Sequence, residues 1–196
     1  ERILITGENG SGKSTFMQIL AGLYSVQEGN VSYNNFALGN LNLESLRSVI
    51  GDYLSQEELF EGTLYENITI GREAATFDNV KWLVKNLGLE PFMRSLTKGY
   101  DTKMDPEGKR IPKSIVEKII LARSMADRPK LLLLEDAFEH LVETDRQKII
   151  DFIYSKENEW TIVTISTDPY LIHKSDRVIE MKDGEIFREY KPSDDA

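Results

Sequence analysis

A short segment near the start of the sequence has the spacing of a phosphate-binding loop. Residues 7–15 read Gly-Glu-Asn-Gly-Ser-Gly-Lys-Ser-Thr, which satisfies the pattern G-x-x-x-x-G-K-[ST]. In such a loop the glycines let successive backbone N–H groups converge on phosphate oxygens, and the following helix N-terminus adds a favourable dipole. The pattern therefore predicts that the chain binds a nucleotide.

Two side chains of this loop have predicted roles of their own. Lys13 is expected to neutralise charge on the β- and γ-phosphates, and the Ser14 hydroxyl is expected to ligate Mg²⁺. The motif alone does not choose between a kinase, a GTPase, a motor and a transporter. The full set of predicted nucleotide-binding residues is Gly7, Glu8, Asn9, Gly10, Ser11, Gly12, Lys13, Ser14 and Thr15.

The loop requires a strand before it and a helix after it, and the sequence predicts both. Ile3–Thr6 is typical of a short buried strand, and a helix is predicted from Lys13 to about Leu23. Further on, Lys130–Glu135 and Trp160–Ser166 are apolar runs typical of strands buried on both faces of a parallel sheet. The alternation predicts an α/β fold, with ligands at the carboxyl ends of the strands.

Other segments complete this outline. The spacing of apolar residues changes between about Glu73 and Ala126. There they recur at helical spacing and predict a helical subdomain. Within it, Ile115–Arg123 follows the period of an amphipathic helix, with Pro112 near its start and Pro129 beyond its end. The remaining predicted elements are a strand over Gly29–Phe36 with a turn at Asn34-Asn35, a helix over Leu43–Arg47, a strand over Val49–Leu54, a helix over Thr144–Lys156 and a hairpin of Arg177–Met181 and Glu185–Tyr190.

Composition limits the function classes. The chain has 196 residues, 24 Lys and Arg against 33 Asp and Glu, a net charge of −9, and no cysteine. Thiol catalysis, iron–sulfur clusters and Cys-ligated zinc are excluded, and His140 and His173 alone offer little for a metal site. The acidic balance argues against a nucleic-acid binder. Apolar runs such as Leu131–Leu134 fall far short of the roughly 18 residues of a membrane span, and no signal peptide is seen.

The first residues are unusual for the start of a protein. The chain opens with Glu1 and Arg2 and enters a strand at Ile3 with no preceding turn. We expect the sequence to be a fragment of a longer protein.

Several further segments resemble the nucleotide-binding domains of ATP-binding-cassette (ABC) transporters, particularly exporters. Leu54-Ser55-Gln56 with Leu59–Ile68 resembles the Q-loop and the segment after it, and Leu131–Asp136 occupies the Walker B position. The resemblance covers nearly the whole chain. Its other segments are Gly99–Thr102, Glu107-Gly108, Leu121–Met125, Asp176–Val178 and Asp183–Ile186.

The resemblance implies a fold and a set of partners. It implies a P-loop NTPase of ABC type whose mostly parallel core sheet is flanked by helices and carries an inserted helical subdomain. The expected division is residues 1–72 for the P-loop and Q-loop part, 73–126 for the signature subdomain and 127–196 for the Walker B part. The family hydrolyses ATP in a head-to-tail dimer of such domains, in the same or different chains, joined to transmembrane domains. The resemblance therefore implies that this domain lies in the cytoplasm, at the inner face of the membrane.

The signature and the loop after Walker B depart from the family pattern. Where the family has Leu-Ser-Gly-Gly-Gln, residues 111–115 read Ile-Pro-Lys-Ser-Ile. Pro112 has no N–H, and Lys113 adds bulk where a glycine allows close approach, so weak closure on the partner's ATP is expected. Val142 stands where the family's D-loop has aspartate. We therefore expect weakened communication across the dimer.

The Walker B pair is inverted relative to the family. Glu135 stands at the metal-binding position and Asp136 at the position that polarises the attacking water. Asp136 is one methylene too short for that role, and Glu135 one too long for its own. Either the pair keeps the family roles with lower efficiency, or Asp136 only caps a helix. We favour the first reading, because a carboxylate pair directly after four leucines is hard to explain as solvated surface.

The resemblance assigns the remaining site residues. Gln56 is retained, and it is expected to sense Mg²⁺ and the attacking water. Thr167 stands at the family's switch histidine, and Asp168 with Pro169 is expected to form a turn or helix cap. The adenine-stacking aromatic is expected upstream of this sequence. The expected catalytic residues are Asp136, Gln56 and Thr167, and the expected metal ligands are Ser14, Gln56 and Glu135.

The sequence thus favours an ATP-binding domain of an ABC exporter-like transporter. It is expected to convert ATP and water to ADP and phosphate at a reduced rate, with Mg²⁺. Two alternatives stay open: a catalytically silent regulatory half of a heterodimer, and a soluble ABC ATPase of the DNA-maintenance or translation kind.

Overall fold

The computed structural model describes residues 1–54 and 58–192. Their strands, in chain order, are β1 (Arg2–Gly7), β2 (Ser32–Tyr33), β3 (Phe36–Ala37), β4 (Ile50–Tyr53), β5 (Gly62–Thr63), β6 (Lys103–Met104), β7 (Leu131–Glu135), β8 (Thr161–Ile165), β9 (Arg177–Lys182) and β10 (Glu185–Tyr190). Their α-helices are α1 (Lys13–Leu20), α2 (Leu43–Arg47), α3 (Leu64–Thr69), α4 (Phe77–Asn86), α5 (Glu90–Ser95), α6 (Lys113–Met125), α7 (Glu143–Ile153) and α8 (Pro169–Lys174). Short 3-10 turns cover Leu38–Asn40, Gly99–Asp101 and Pro106–Gly108.

The chain divides into two compact units. The first comprises Glu1–Asp52, Lys130–Glu135 and the chain from Trp160 onwards. The second comprises Tyr53–Pro129 and Asp136–Glu159. The division at residues 72 and 126 stays a prediction.

The first unit is built on a six-stranded sheet with the order β10-β9-β1-β8-β7-β4. β1 pairs in parallel with both β8 and β9, and β7 pairs in parallel with β8. β10 returns antiparallel to β9 across the turn at Asp183-Gly184. The predicted α/β fold with a mostly parallel core sheet, and the terminal hairpin, are thereby confirmed.

The register of the sheet aligns the ends of three strands. Ile5 of β1 lies opposite Ile165 of β8, which lies opposite Glu135 at the end of β7. Since these strands are parallel, the residues that follow them emerge at one edge of the sheet. That edge is where α/β folds bind their ligands.

Burial explains why the predicted apolar runs form these strands. Leu132, Leu133 and Leu134 are fully buried although consecutive residues of a strand point to opposite faces. Ile162 and Val163 of β8 are buried in the same way. A sheet covered on both faces requires such uninterrupted apolar strands.

The helix after the loop is shorter than predicted. α1 ends at Leu20, not Leu23, because Gly22 adopts a left-handed conformation with φ of 68°. Leu23 N donates to Gln18 O at 2.9 Å and Gly22 N to Ile19 O at 3.0 Å. These two hydrogen bonds form a Schellman motif, which satisfies the last carbonyls and stops the helix.

The predicted strand over Gly29–Phe36 is mostly loop. Its turn at Asn34-Asn35 is correct, because both asparagines have positive φ and join β2 to β3 in a hairpin. The hairpin has only two residues in each strand. The exposed positions around it explain the short pairing, since a two-stranded ribbon with little buried surface is marginal.

The second unit is organised around α6. The helix begins at Lys113 after Pro112, as predicted, but it is not amphipathic: every residue from Glu117 to Met125 is buried. The charged residues are tolerated because they have partners inside the unit. Arg123 Nε donates to the carbonyl oxygen of Asn67 at 2.8 Å, and Lys118 Nζ lies 2.6 Å from Asp145 Oδ2. Within the described residues, no helix is long and apolar enough to cross a membrane.

Candidate functional site

The glycine-rich loop links the end of β1 to the start of α1, in the predicted strand-loop-helix order. Gly7 has φ of 139° and Gly12 has φ of 93°, in the region that favours glycine. A β-carbon at Gly7 would lie 2.1 Å from the carbonyl oxygen of Met181. Gly184 N donates to Ser11 O at 3.1 Å and ties the loop to the turn after β9. The glycines therefore serve both the loop conformation and close packing.

The N-terminus of α1 opens onto this loop. Gly12 is its N-cap residue, and among the described residues no side chain caps the first N–H groups. Its first turn contains no acidic residue. The N–H groups of a first turn without a side-chain cap, together with the helix dipole, favour an anion at this position. All of the predicted nucleotide-binding residues, 7–15, lie in the loop or in the first turn of α1.

The Lys13 side chain folds back over the loop. Its ammonium group donates to the carbonyl oxygens of Gly7 at 2.9 Å and Glu8 at 2.8 Å, and lies 3.4 Å from Ser11 Oγ. Three loop oxygens thus hold one positive charge in place. This geometry is suited to attract phosphate without reorganising the loop.

Ser14 and Glu135 meet at the carboxyl edge of the sheet. The Ser14 hydroxyl donates a hydrogen bond to Glu135 Oε1. Glu135 is 5% exposed, whereas Ser14 is exposed to solvent. Hydroxyl and carboxylate oxygens are the kinds of ligand that Mg²⁺ prefers, so the pair fits the predicted metal-binding role.

Thr167 lies at the same edge. It follows β8 by two residues, and β8 is in register with the end of β7 at Glu135. Its neighbour Asp168 caps α8: Oδ1 accepts a hydrogen bond from Tyr170 N at 2.9 Å, and Pro169 is the first helical residue. The predicted cap role of Asp168 is confirmed, and Thr167 directly before it is exposed.

The other two predicted catalytic residues are placed differently. Asp136 directly follows β7, is exposed, and has φ of 50°. Aspartate tolerates this left-handed conformation better than glutamate does, which gives a backbone reason for the inverted pair. Asp136 belongs to the second unit, whereas Glu135 belongs to the first. Gln56 lies outside the described residues.

The position of the signature is occupied by an ordinary helix start. Pro112 is the N-cap of α6, and among the described residues no side chain caps this end. Pro112 O accepts hydrogen bonds from Ile115 N at 2.8 Å and Val116 N at 3.1 Å. Lys113 is exposed at the first helical position.

One buried carboxylate on α6 was not predicted from the sequence. Glu117 of α6 is 2% exposed, and its Oε2 accepts a hydrogen bond from His140 N at 2.9 Å. The signal in the sequence was a Glu-Lys pair inside an otherwise apolar stretch, Ile115–Leu121. Such a pair usually indicates a solvated helix face. His140 and His173 are both exposed.

Comparison with known proteins identifies the family. The sequence model of the family described as ABC transporter matches residues 1–139. The chain belongs to the ABC transporter family. Family membership implies nucleotide binding, in agreement with the loop geometry.

Similar proteins are ABC exporters. The chain is 30% identical over 189 residues to the Bacillus subtilis protein named "Probable multidrug resistance ABC transporter ATP-binding/permease protein YheH", covering 95% of this chain and 28% of that protein. It is 29% identical to the mitochondrial iron-sulfur clusters transporter atm1 of Aspergillus fumigatus, covering 95% of this chain and 26% of the relative. A solved structure of a bacterial Atm1-family ABC exporter with ATP bound matches with a TM-score of 0.91 at 25% identity, covering 98% of this chain and 34% of that one. The ABC domain described here thus spans about a third or less of these relatives.

Proposed function

We propose that this ABC domain binds MgATP and hydrolyses it slowly, and that this hydrolysis drives an exporter-like transporter. The observation that carries the proposal is the contact between the Ser14 hydroxyl and the Glu135 carboxylate, beside the loop that holds Lys13. It unites a phosphate site with a pair of oxygen ligands suited to Mg²⁺. The ATP-bound exporter of the same fold supports ATP as the nucleotide.

The chain's own residues bind and orient the substrate. The loop N–H groups and Lys13 hold the β- and γ-phosphates, and Ser14, Glu135 and Gln56 would hold Mg²⁺. When bound, Mg²⁺ neutralises charge that develops on the phosphate oxygens. The Thr167 hydroxyl is available as a donor to the γ-phosphate.

Asp136 is proposed as the group that polarises the attacking water. The water oxygen bonds to the γ-phosphorus, the bond to the bridging oxygen of ADP breaks, and the water proton passes to the carboxylate or onward to phosphate. The side chain is one methylene shorter than the glutamate of the family. We expect this to lower kcat by about 10²-fold, within the usual range of general-base catalysis.

The proposed partners follow from the relatives. Proteins named as ATP-binding/permease proteins contain both functions, so we propose that this domain works with transmembrane domains at the cytoplasmic face of a membrane. A second nucleotide-binding domain, identical or different, is proposed to form a head-to-tail dimer with it. These exporter relatives favour a transporter over a soluble ABC ATPase of DNA maintenance or translation.

A specific observation favours a second candidate, a silent regulatory half of a heterodimer. Pro112 at the N-cap of α6 offers no N–H, and Lys113 adds bulk where close approach to the partner's nucleotide is needed. In that case the domain binds ATP without releasing phosphate. Mutation of Asp136 would then change neither ATP binding nor phosphate release.

The experiment is ATP binding and phosphate release by the purified intact protein. Lys13→Ala should weaken ATP binding by about 10- to 100-fold, the worth of a charge-assisted contact. Asp136→Asn should abolish phosphate release while ATP affinity stays within about twofold. Lys156→Ala and Asp101→Asn, both at exposed positions, are the matched controls. Phosphate release that is insensitive to Asp136→Asn, or as fast as that of a family member with intact motifs, would refute the proposal.

A further inference from the structure

The loop after Asp136 is held by a buried carboxylate on α6. Glu117 Oε2 accepts a hydrogen bond from His140 N at 2.9 Å, and the backbone N–H of Glu139 also donates to this carboxylate. Hydrogen bonds from N–H groups to a carboxylate are about twice as strong as neutral ones. Two successive amides of the loop are therefore tied to one side chain.

The rest of the loop has little freedom. Ala137 is 0% exposed and Phe138 is 4% exposed, so the two residues between Asp136 and the tied amides are packed in the unit's core. One helical position further on, Lys118 Nζ lies 2.6 Å from Asp145 of α7. Consecutive residues of α6 thus fix the loop and the helix that follows it.

The hydrogen bonds to the loop amides do not explain the second carboxylate oxygen of Glu117. Oε1 is buried and has no hydrogen-bond partner within the described residues. A neutral acceptor would hold the two amides with a smaller desolvation penalty, because an ionised buried group without full pairing is costly. We therefore expect the ionisable carboxyl of Glu117 to have a role that depends on its charge.

Several titratable and charged groups surround this carboxyl. The His140 ring nitrogen Nδ1 lies 4.0 Å from Glu117 Oε2, and Glu139 repels its charge. Burial raises the pKa of Glu117 to about 7 in spite of the two N–H donors. The carboxyl also lines a cavity of about 470 Å³ whose other titratable and charged residues are Tyr53, Glu58, Glu107, Lys109, Lys113 and His140.

We propose that Glu117 is a positioning residue for hydrolysis: by holding the amides of Glu139 and His140 it limits the movement of Asp136. The inference rests on the proposed function, since it requires Asp136 to act on the attacking water. Protonation of the carboxyl weakens its hold on the two amides. The helix that begins at the signature position thereby acts on the proposed general base through the loop between them.

Steady-state ATP hydrolysis by the intact protein tests the proposal. Glu117→Leu should lower kcat by about 10- to 100-fold, the effect of misplacing a reacting group by about an ångström, while KM for ATP stays within about twofold. Glu117→Gln keeps an acceptor and should restore most of kcat at pH 7. The wild-type kcat should increase between about pH 6 and pH 8 as the carboxyl ionises, whereas the kcat of Glu117→Gln should not.

A matched control lies at the next position. Lys118→Gln breaks the neighbouring buried ion pair and should lower stability without changing KM or the pH profile of kcat. If Glu117→Leu and Lys118→Gln lower stability equally and have the same kcat as each other, Glu117 has only a structural role and the inference is wrong.

A measurement without turnover separates this inference from the proposed function. Hydrogen exchange of the amides of residues 139 and 140, without nucleotide, should be at least about tenfold faster in Glu117→Leu than in the wild type. Unchanged exchange would overturn the inference even in an active enzyme. Absence of phosphate release from the wild-type protein would instead refute the proposed hydrolysis, whatever the exchange shows.

Discussion

The Ser14 hydroxyl donates a hydrogen bond to the Glu135 carboxylate, across 121 positions of the chain. Ser14 lies in the first turn of α1 and Glu135 ends β7, and both lie at the carboxyl edge of the parallel sheet. This single contact brings the phosphate loop and the Walker B strand together. The contact supports the proposal that the two segments form one MgATP site.

Ser14→Ala should selectively weaken binding of the magnesium complex. The variant loses one proposed oxygen ligand of Mg²⁺ and the hydrogen bond from Ser14 to the buried Glu135, so we expect MgATP affinity to fall by about tenfold. ATP affinity in the presence of a chelator should change by less than about twofold. Titration calorimetry with and without Mg²⁺ measures both, with exposed Ser32→Ala as the control. An equal loss in the two conditions would mean that Ser14 serves the phosphates and not the metal.

Asp136→Glu tests whether side-chain length limits turnover. The longer carboxylate reaches the position that the family uses, so kcat should rise by about tenfold, part of what a well-placed general base provides. The φ of 50° at this residue opposes the change, because glutamate is less tolerant of a left-handed backbone. We therefore expect a small loss of thermal stability alongside the gain in kcat. Phosphate release at an unchanged rate would show that length is not the limitation.

The sequence predicted those parts of the fold that depend on short-range patterns. Leu131–Leu134 and the loop from Gly7 to Thr15 were correctly placed because apolar runs and glycine spacing act locally. Glu117 was missed for the opposite reason. A charged residue at helical spacing indicates a solvated face, and only the tertiary structure reveals that its partners are backbone amides 22 and 23 positions away, at Glu139 and His140.

Gly7→Ala should destabilise the domain, and Gly39→Ala should not. A β-carbon at Gly7 would lie 2.1 Å from the backbone of Met181, which forces β1 and β9 apart. We expect a loss of about 3 kcal/mol in the free energy of unfolding, the upper range for overpacking. At Gly39 a β-carbon meets nothing within 4 Å, so the change should stay within about 0.5 kcal/mol. Urea denaturation of both variants measures the difference, and equal midpoints would contradict this account of the loop.

Asn67→Ala should unfold the second unit at lower denaturant concentrations. The fully buried Asn67 amide donates to the carbonyl oxygens of Phe60 at 3.0 Å and Thr63 at 3.1 Å. Its oxygen accepts from Phe60 N at 3.0 Å and from Arg123 at 3.2 Å. Loss of these four hydrogen bonds should cost about 3 kcal/mol. Exposed Asn30→Ala is the control, and a matching denaturation midpoint for the two variants would contradict the expected role of the network.

Glu117 should make the stability of the protein depend on pH. Burial holds its pKa in the folded protein at about 7, above the value of about 4.5 expected in the unfolded chain. Between these values the folded protein binds more protons than the unfolded chain, so this residue's contribution to the free energy of unfolding falls as the pH rises. Below about 4.5 and above about 7 the contribution should be constant.

Glu117→Gln isolates this effect because it removes the titration and keeps the shape. The wild type minus variant difference in free energy of unfolding, from urea melts at several pH values, should decrease from about pH 4.5 to about pH 7 and then level off. Glu117→Leu also lacks the titrating group, so its difference curve should have the same slope even if its absolute stability is lower. A flat difference for both variants would show that Glu117 ionises as readily in the folded protein as in the unfolded chain. That result would also remove the reason to expect a pH-dependent hold on the loop after Asp136.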